Sequence, residues 1–248
     1  MARNKIASTA FQTVFETIFP PQCVACNEMV AESGGLCADC WCETHFIGGL
    51  VCDKCGSPLI GEESDTPELC DDCTTVARPW GHGRAALIYK GAGRRLVLGL
   101  KHADRTEVAK PAGKWLARSG ACLVTTSTII SPIPLHRSRF FKRRYNQSAL
   151  LATAFAKSHQ VEVVPDLLTR TKKTRSLDGL TKNERFEVLQ SSIQVTDRFK
   201  TEILNRDILL VDDVMTSGAT FAAATEACLA AGAKSVCILA LARVVKDA

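Results

Sequence analysis

Four C-x-x-C pairs crowd the front of this 248-residue chain and leave that part little choice of architecture. They read CVAC, CADC, CDKC and CDDC, at Cys23/Cys26, Cys37/Cys40, Cys52/Cys55 and Cys70/Cys73. A C-x-x-C turn aims two thiolates at one point, and two such knuckles complete a tetrahedral sulfur site that suits structural zinc. Taken in order, Cys23, Cys26, Cys37 and Cys40 make one site, and Cys52, Cys55, Cys70 and Cys73 the other. Interleaving the first knuckle with the third is the alternative pairing, and an iron–sulfur cluster the alternative metal. Gly56 follows Cys55 where a knuckle must turn with positive φ. The N-terminus lacks the order of a signal peptide, so a cytoplasmic location is expected and a disulfide framework is not. Cys42, with His45 close behind it, is spare and reads as a packing or surface thiol. Residues 20–75 carry too few apolar side chains to fold by burial alone, so metal binding is expected to supply that folding free energy.

A different grammar begins near residue 84. Short apolar runs (85–89, 128–133, 161–164, 208–211 and 236–241) alternate with helical stretches near 107–118, 145–158 and 221–231. That alternation predicts a parallel sheet with helices on both faces. Leu150, Leu151, Ala154 and Phe155 are expected to face inward from their helix, with Asn146 as its N-cap. Cys122, Cys228 and Cys237 sit in apolar segments and read as small core residues. Ahead of the cysteines, Phe11, Val14, Phe15, Ile18 and Phe19 form one helical stripe that stops at Pro20-Pro21. It reads as a helix docked on its own protein, with a membrane-surface or partner helix as the alternative. The expected division is an N-terminal helix (1–20), a double ribbon (21–80) and an α/β domain (84–248). The net charge of +5 favours polyphosphate or nucleic acid without naming either. No apolar run approaches the ~20 residues that span a bilayer, so an integral membrane protein is not expected.

The sharpest chemical signal is RDILLVDDVMTSGAT, residues 206–220. A buried strand ends at two carboxylates, Asp212 and Asp213. A turn of small residues then leads into a helix, whose free N–H groups suit a phosphate. Carboxylates at a strand end can hold a vicinal diol. The string resembles the phosphoribosyl pyrophosphate (PRPP) loop of type I phosphoribosyltransferases. By that resemblance Asp212 and Asp213 take the ribose, and Val214, Met215, Thr216, Ser217, Gly218, Ala219 and Thr220 form the phosphate loop.

Two basic stretches flank the motif. Residues 132–148 leave a strand end and carry Arg137, Arg139, Lys142, Arg143 and Arg144, whose guanidinium forks suit a pyrophosphate. Phe140, Phe141 and Tyr145 are the best stacking residues for a single strand. Residues 170–185 are long and polar, as a closing lid would be.

Read end to end, the chain resembles the ComF family. The resemblance runs from FPPQCVAC through YKGAGRRLVLGLKH, IPLHRSRFFKRRYNQSALLA, RTKKTRSLDGLTKNER and ILLVDDVMTSGAT to LALAR. It implies a double zinc ribbon with two structural Zn²⁺, a type I phosphoribosyltransferase-like domain, and a link to DNA uptake and competence. It also implies PRPP bound with Mg²⁺, phosphoribosyl transfer to an unidentified acceptor, catalytic roles for Asp212, Asp213 and Arg144, and PRPP contacts from Arg137, Arg143 and Lys101. No general base is identifiable, and His136 is a candidate by position only. Where family members often show Arg-Gly-Phe-Asn-Gln, this chain has Arg144-Tyr145-Asn146-Gln147, and Leu177 stands where many have glutamine. Glutamine as a nitrogen donor is not expected. The rival readings are a non-catalytic PRPP or nucleotide sensor and a single-stranded-DNA-binding adaptor for DNA-uptake helicases.

Overall fold

The computed structural model describes residues 20–62, 66–102, 105–135, 144–171 and 192–245. The Phe11–Phe19 stripe, the basic run from His136 to Arg143 and most of the 170–185 segment lie outside the described residues.

In chain order the elements are α1 (Ala38–Cys42), α2 (Asp71–Thr75), β1 (Gly83–Ile88), α3 (Gly91–His102), α4 (Ala109–Gly120), β2 (Thr128–Pro132), α5 (Gln147–His159), β3 (Glu162–Val163), β4 (Leu168–Arg170), β5 (Ile193–Val195), β6 (Asp207–Met215), α6 (Ala219–Ala230) and β7 (Ser235–Arg243). Five strands make one sheet in the order β1-β7-β6-β2-β3, parallel throughout. In β6 the run Ile208 to Val211 is wholly buried, as a strand covered on both faces requires. The strand continues through both aspartates to Met215, so the acids lie within it rather than after it.

Strand alternation sorts the core onto two faces. Ile208 and Leu210 of β6 pack with α6 and the β4–β5 pair, while Leu209 and Val211 pack with α3, α4 and α5. The expected α/β class with helices on both faces is therefore present. Helix α5 starts at Asn146, whose side chain accepts from the Ser148 N–H. Leu151 and Phe155 are fully buried on it, Leu150 and Ala154 partly. Helix α6 is built of alanine-rich sequence that favours helix. It closes with Gly232 N–H to Leu229 C=O and Ala233 N–H to Cys228 C=O, an orphan-carbonyl cap that needs the positive φ of Gly232.

Three details differ from the sequence reading. Residues 91–102, where the sequence pattern suggests no element, form helix α3; the glycines lower its propensity, and burial of Leu96, Val97 and Leu100 overrides that. The antiparallel pair β4–β5 was hidden within a polar stretch because each strand has only three residues. Cys122 is exposed rather than core, since the chain leaves α4 through a short 3₁₀ turn at the surface. Cys228 is buried and Cys237 half-buried.

Both cysteine clusters pack onto this sheet. Cys23 and Cys40 share the cluster of α3, α4 and α5, whereas Cys52, Cys55 and Cys73 share that of α6. The segment between them runs along the free edge of β1. Ile47 N–H donates to Ala86 C=O, Ile88 N–H donates to His45 C=O, and Phe46 bridges Leu87 antiparallel. No described helix is long and apolar enough to cross a membrane.

Candidate functional site

The knuckles converge in sequence order. The sulfurs of Cys23, Cys26, Cys37 and Cys40 lie within 4.8 Å of one another, and so do those of Cys52, Cys55, Cys70 and Cys73. Cys26 and Cys37 sulfurs are 3.6 Å apart, as are those of Cys55 and Cys70. Four sulfurs at ~2.3 Å from a tetrahedral zinc stand ~3.8 Å apart, so both donor sets fit that ion. Crowding also divides the thiols. Burial first pushes Cys40 up to about 12 and Cys70 up to about 11. Hydrogen bonds from Cys52 and Cys73 hold Cys55 well below the usual thiol range. A dication takes all four as thiolates and removes that conflict. Cys42 stands exposed, outside both clusters.

Gly56, at φ +68, turns the third knuckle against the sheet, and a Cβ there would meet the Ala85 nitrogen at 2.6 Å. Around it Gly83 N–H donates to Asp53 C=O and Trp80 Nε1–H to Lys54 C=O at 2.6 Å. Asp53 binds His82 at 2.8 Å and Arg84 at 3.3 Å. Burial opposes ionisation of Asp53, yet these partners hold its carboxyl below the usual range.

Near the C-terminal end of β6, Asp212 Oδ1 accepts from Ser148 Oγ at 2.7 Å and from the Asp213 N–H at 2.9 Å. Asp213 is buried and pairs with Lys101 Nζ at 3.0 Å. The structure thus brings together three residues singled out in the sequence. Burial first, and the Asp213 charge second, push the Asp212 carboxyl up to about 7, against the Ser148 hydrogen bond and the Lys101 charge. Beyond Met215 the chain turns through Thr216 and Ser217 to Gly218, at φ +83, and enters α6. Ser217 Oγ accepts from the Ala219 N–H at 3.4 Å. Arg144, at φ +63, is exposed. It lines a cavity of about 880 Å³ with Leu150, Thr153, Asp166 and Arg170. Arg137 and Arg143 lie outside the described residues.

Several contributors escaped the sequence reading: Ser148, Arg78, Trp80 and Arg243. Arg78 Nη1 donates to Ser217 C=O at 2.7 Å, and Trp80 meets Phe221 of α6 edge to face. Arg243 Nη1 donates to Thr216 C=O at 2.5 Å. The available signals were a Trp and an Arg directly after the last knuckle and a charge closing an otherwise apolar strand.

Residues 14–74 match the family described as a double zinc ribbon domain. DNA utilization protein YhgH of Shigella flexneri is 28% identical over 215 residues, covering 84% of this chain and 90% of that protein. Competence protein F of Haemophilus influenzae is 25% identical over 244 residues, covering 90% and 96%. Among solved structures, a glutamine PRPP amidotransferase from B. subtilis overlaps with a TM-score of 0.38 at 15% identity, over 55% of this chain and 26% of that one. So loose an overlap carries no argument. The ribbon match in front and the nearly end-to-end relatives bear out the resemblance to the ComF family.

Proposed function

We propose that Asp212, Asp213, Lys101 and the turn from Val214 to Thr220 bind PRPP with Mg²⁺, and that the chain transfers the phosphoribosyl group to an acceptor. One observation carries this reading. Two adjacent carboxylates, one paired with Lys101, stand directly before a small-residue turn and the N-terminus of a twelve-residue helix. The helix start offers backbone N–H groups and positive dipole character to the 5′-phosphate. Asp212 and Asp213 accept from the ribose hydroxyls and stabilise positive charge on the ring as C1′ parts from pyrophosphate. Lys101 exchanges its partner Asp213 for a phosphate oxygen when the ligand binds. Arg137, Arg143 and Arg144 neutralise the leaving pyrophosphate. Mg²⁺ would be held by the pyrophosphate, the ribose hydroxyls and water, with few ligands from the protein. The names of the relatives support placing this chemistry in DNA uptake or use.

Calorimetry of PRPP–Mg²⁺ against the zinc-loaded chain tests the proposal. Binding is expected, weakened about a hundredfold in Asp212→Asn/Asp213→Asn, together with loss of pyrophosphate release. Absence of heat with the folded wild type overturns it. Salt-dependent binding of single-stranded DNA, unchanged in the double variant, would instead favour the binding-module reading.

A further inference from the structure

Two arginines stand between the second cysteine cluster and the turn at 216–218. Arg78 follows the last knuckle and donates from Nη1 to Ser217 C=O, and the Trp80 ring beside it donates from Nε1 to Lys54 C=O within the third knuckle. Its guanidinium carbon lies 5.6 Å from the centre of the Trp80 ring. Arg243 ends β7 and is 3% exposed. Its Nη1 reaches the carbonyls of Thr216 at 2.5 Å, Val244 at 2.7 Å and Met215 at 3.3 Å, and its charge acts on the Cys55 sulfur. The Nε of each arginine is buried with no hydrogen-bond partner among the described residues.

Buried guanidinium groups are costly unless negative charge faces them. Four thiolates around one Zn²⁺ leave a net charge near −2 that meets this need. On their other side the arginines hold three successive carbonyls of the turn. In a trans peptide the C=O and the next N–H point in opposite directions. Drawing the Met215, Thr216 and Ser217 carbonyls toward the arginines therefore turns the N–H groups of Thr216, Ser217 and Gly218 the other way. Gly218 fits the arrangement closely, since a Cβ there would meet Trp80 at 3.0 Å and Arg78 Nη1 at 3.2 Å. The first cluster has no such line to the turn among the described residues. Its arginine, Arg95, reaches from the Cys40 sulfur to Glu43.

We infer that Arg78 and Arg243 are positioning residues that tie the metal of the second cysteine cluster to the phosphate turn, so that this metal, and not the first, sets the turn's readiness for an anion. The inference rests on the PRPP reading for its ligand, but its geometry can be tested without one. Amide hydrogen exchange over 215–221 in the full chain is the primary readout, beside zinc content and PRPP–Mg²⁺ calorimetry. Arg78→Ala is expected to keep both zinc ions, quicken exchange in the turn about tenfold while β6 stays protected, and weaken PRPP about tenfold. Arg78→Lys should recover part of both effects. Cys70→Ser should lose one zinc and loosen the turn. Cys26→Ser should lose one zinc and leave the turn as in the wild type. Unchanged exchange in folded Arg78→Ala, or equal loosening by both cysteine variants, overturns the inference. If Cys70→Ser does not fold, the Arg78 pair decides. Should the wild type fail to bind PRPP, the proposed function falls while the exchange measurements still decide the coupling.

Discussion

The first cysteine cluster rests on helices mainly through side chains, with Arg95 at the Cys40 sulfur and Arg105 at the Cys23 carbonyl beside one long backbone bond, Ala92 N–H to Glu43 C=O at 3.3 Å. The second is joined to the start of β1 by a backbone bond, Gly83 N–H to Asp53 C=O, with the Trp80 side chain donating to Lys54 C=O beside it. Repeated sequence pattern has thus produced two unlike attachments. Cys26 of the first cluster is exposed and Cys37 half-buried, while three of the four cysteines in the second are buried. Side-chain contacts can give way one at a time, whereas a backbone junction at a strand gives way only with the strand.

Metal removal should expose the difference most strongly. A chelator is expected to draw zinc in two phases, the first at least about tenfold faster and assigned to the Cys23 cluster. A single phase, followed by a metal-sensitive dye, would break the comparison. Next in size, Gly56→Ala combines a positive φ with a backbone clash and should cost about 3 kcal/mol, or roughly 6–12 °C in Tm. Gly34→Ala in the first ribbon also has positive φ, but its nearest neighbour is Pro111 at 3.8 Å. It should cost only about 1 kcal/mol, and equal losses for the two variants in thermal melts would remove the contrast.

A smaller effect comes from the acid pair. The Asp212 carboxyl is raised to about 7 from an ordinary 3.8, so between these values the folded chain binds more protons than the unfolded one. Its contribution to stability therefore falls as pH rises from about 4 to 7. Asp212→Asn should melt a few degrees above the wild type at pH 8 and level with it at pH 4. The smallest effect is expected from Arg95→Ala, whose exposed ion pair with Glu43 should be worth less than about 0.5 kcal/mol. A loss as large as that of Gly56→Ala would show the first ribbon to be as firmly joined as the second.

What the sequence made legible was local. Each C-x-x-C pair carries its own turn, so eight cysteines predict two clusters, and the structure settles their pairing as sequential. The β6–turn–α6 unit was equally readable, because a buried run, two acids, small residues and alanines follow in one stretch. What escaped depends on convergence across the fold. Ser148 meets Asp212 from 64 positions away, and Arg78 meets Ser217 from 139. Such pairs are set by the sheet order, which places β1 beside β7, and no local periodicity encodes that. Helix α3 was missed for a related reason: the burial that stabilises its glycine-containing sequence is supplied by distant strands.

The pairing of β1 with β7 has a consequence for how the chain comes off the ribosome. Gly83 aligns with Ile238, so the strand beneath the ribbons gains its sheet partner only when the last strand has been made. At ~5–20 residues per second, roughly 10–30 s separate synthesis of the last knuckle from that of β7. During that interval the second ribbon lacks the strands it will rest on and depends on its metal, so cells short of zinc should lose this protein during synthesis rather than after it.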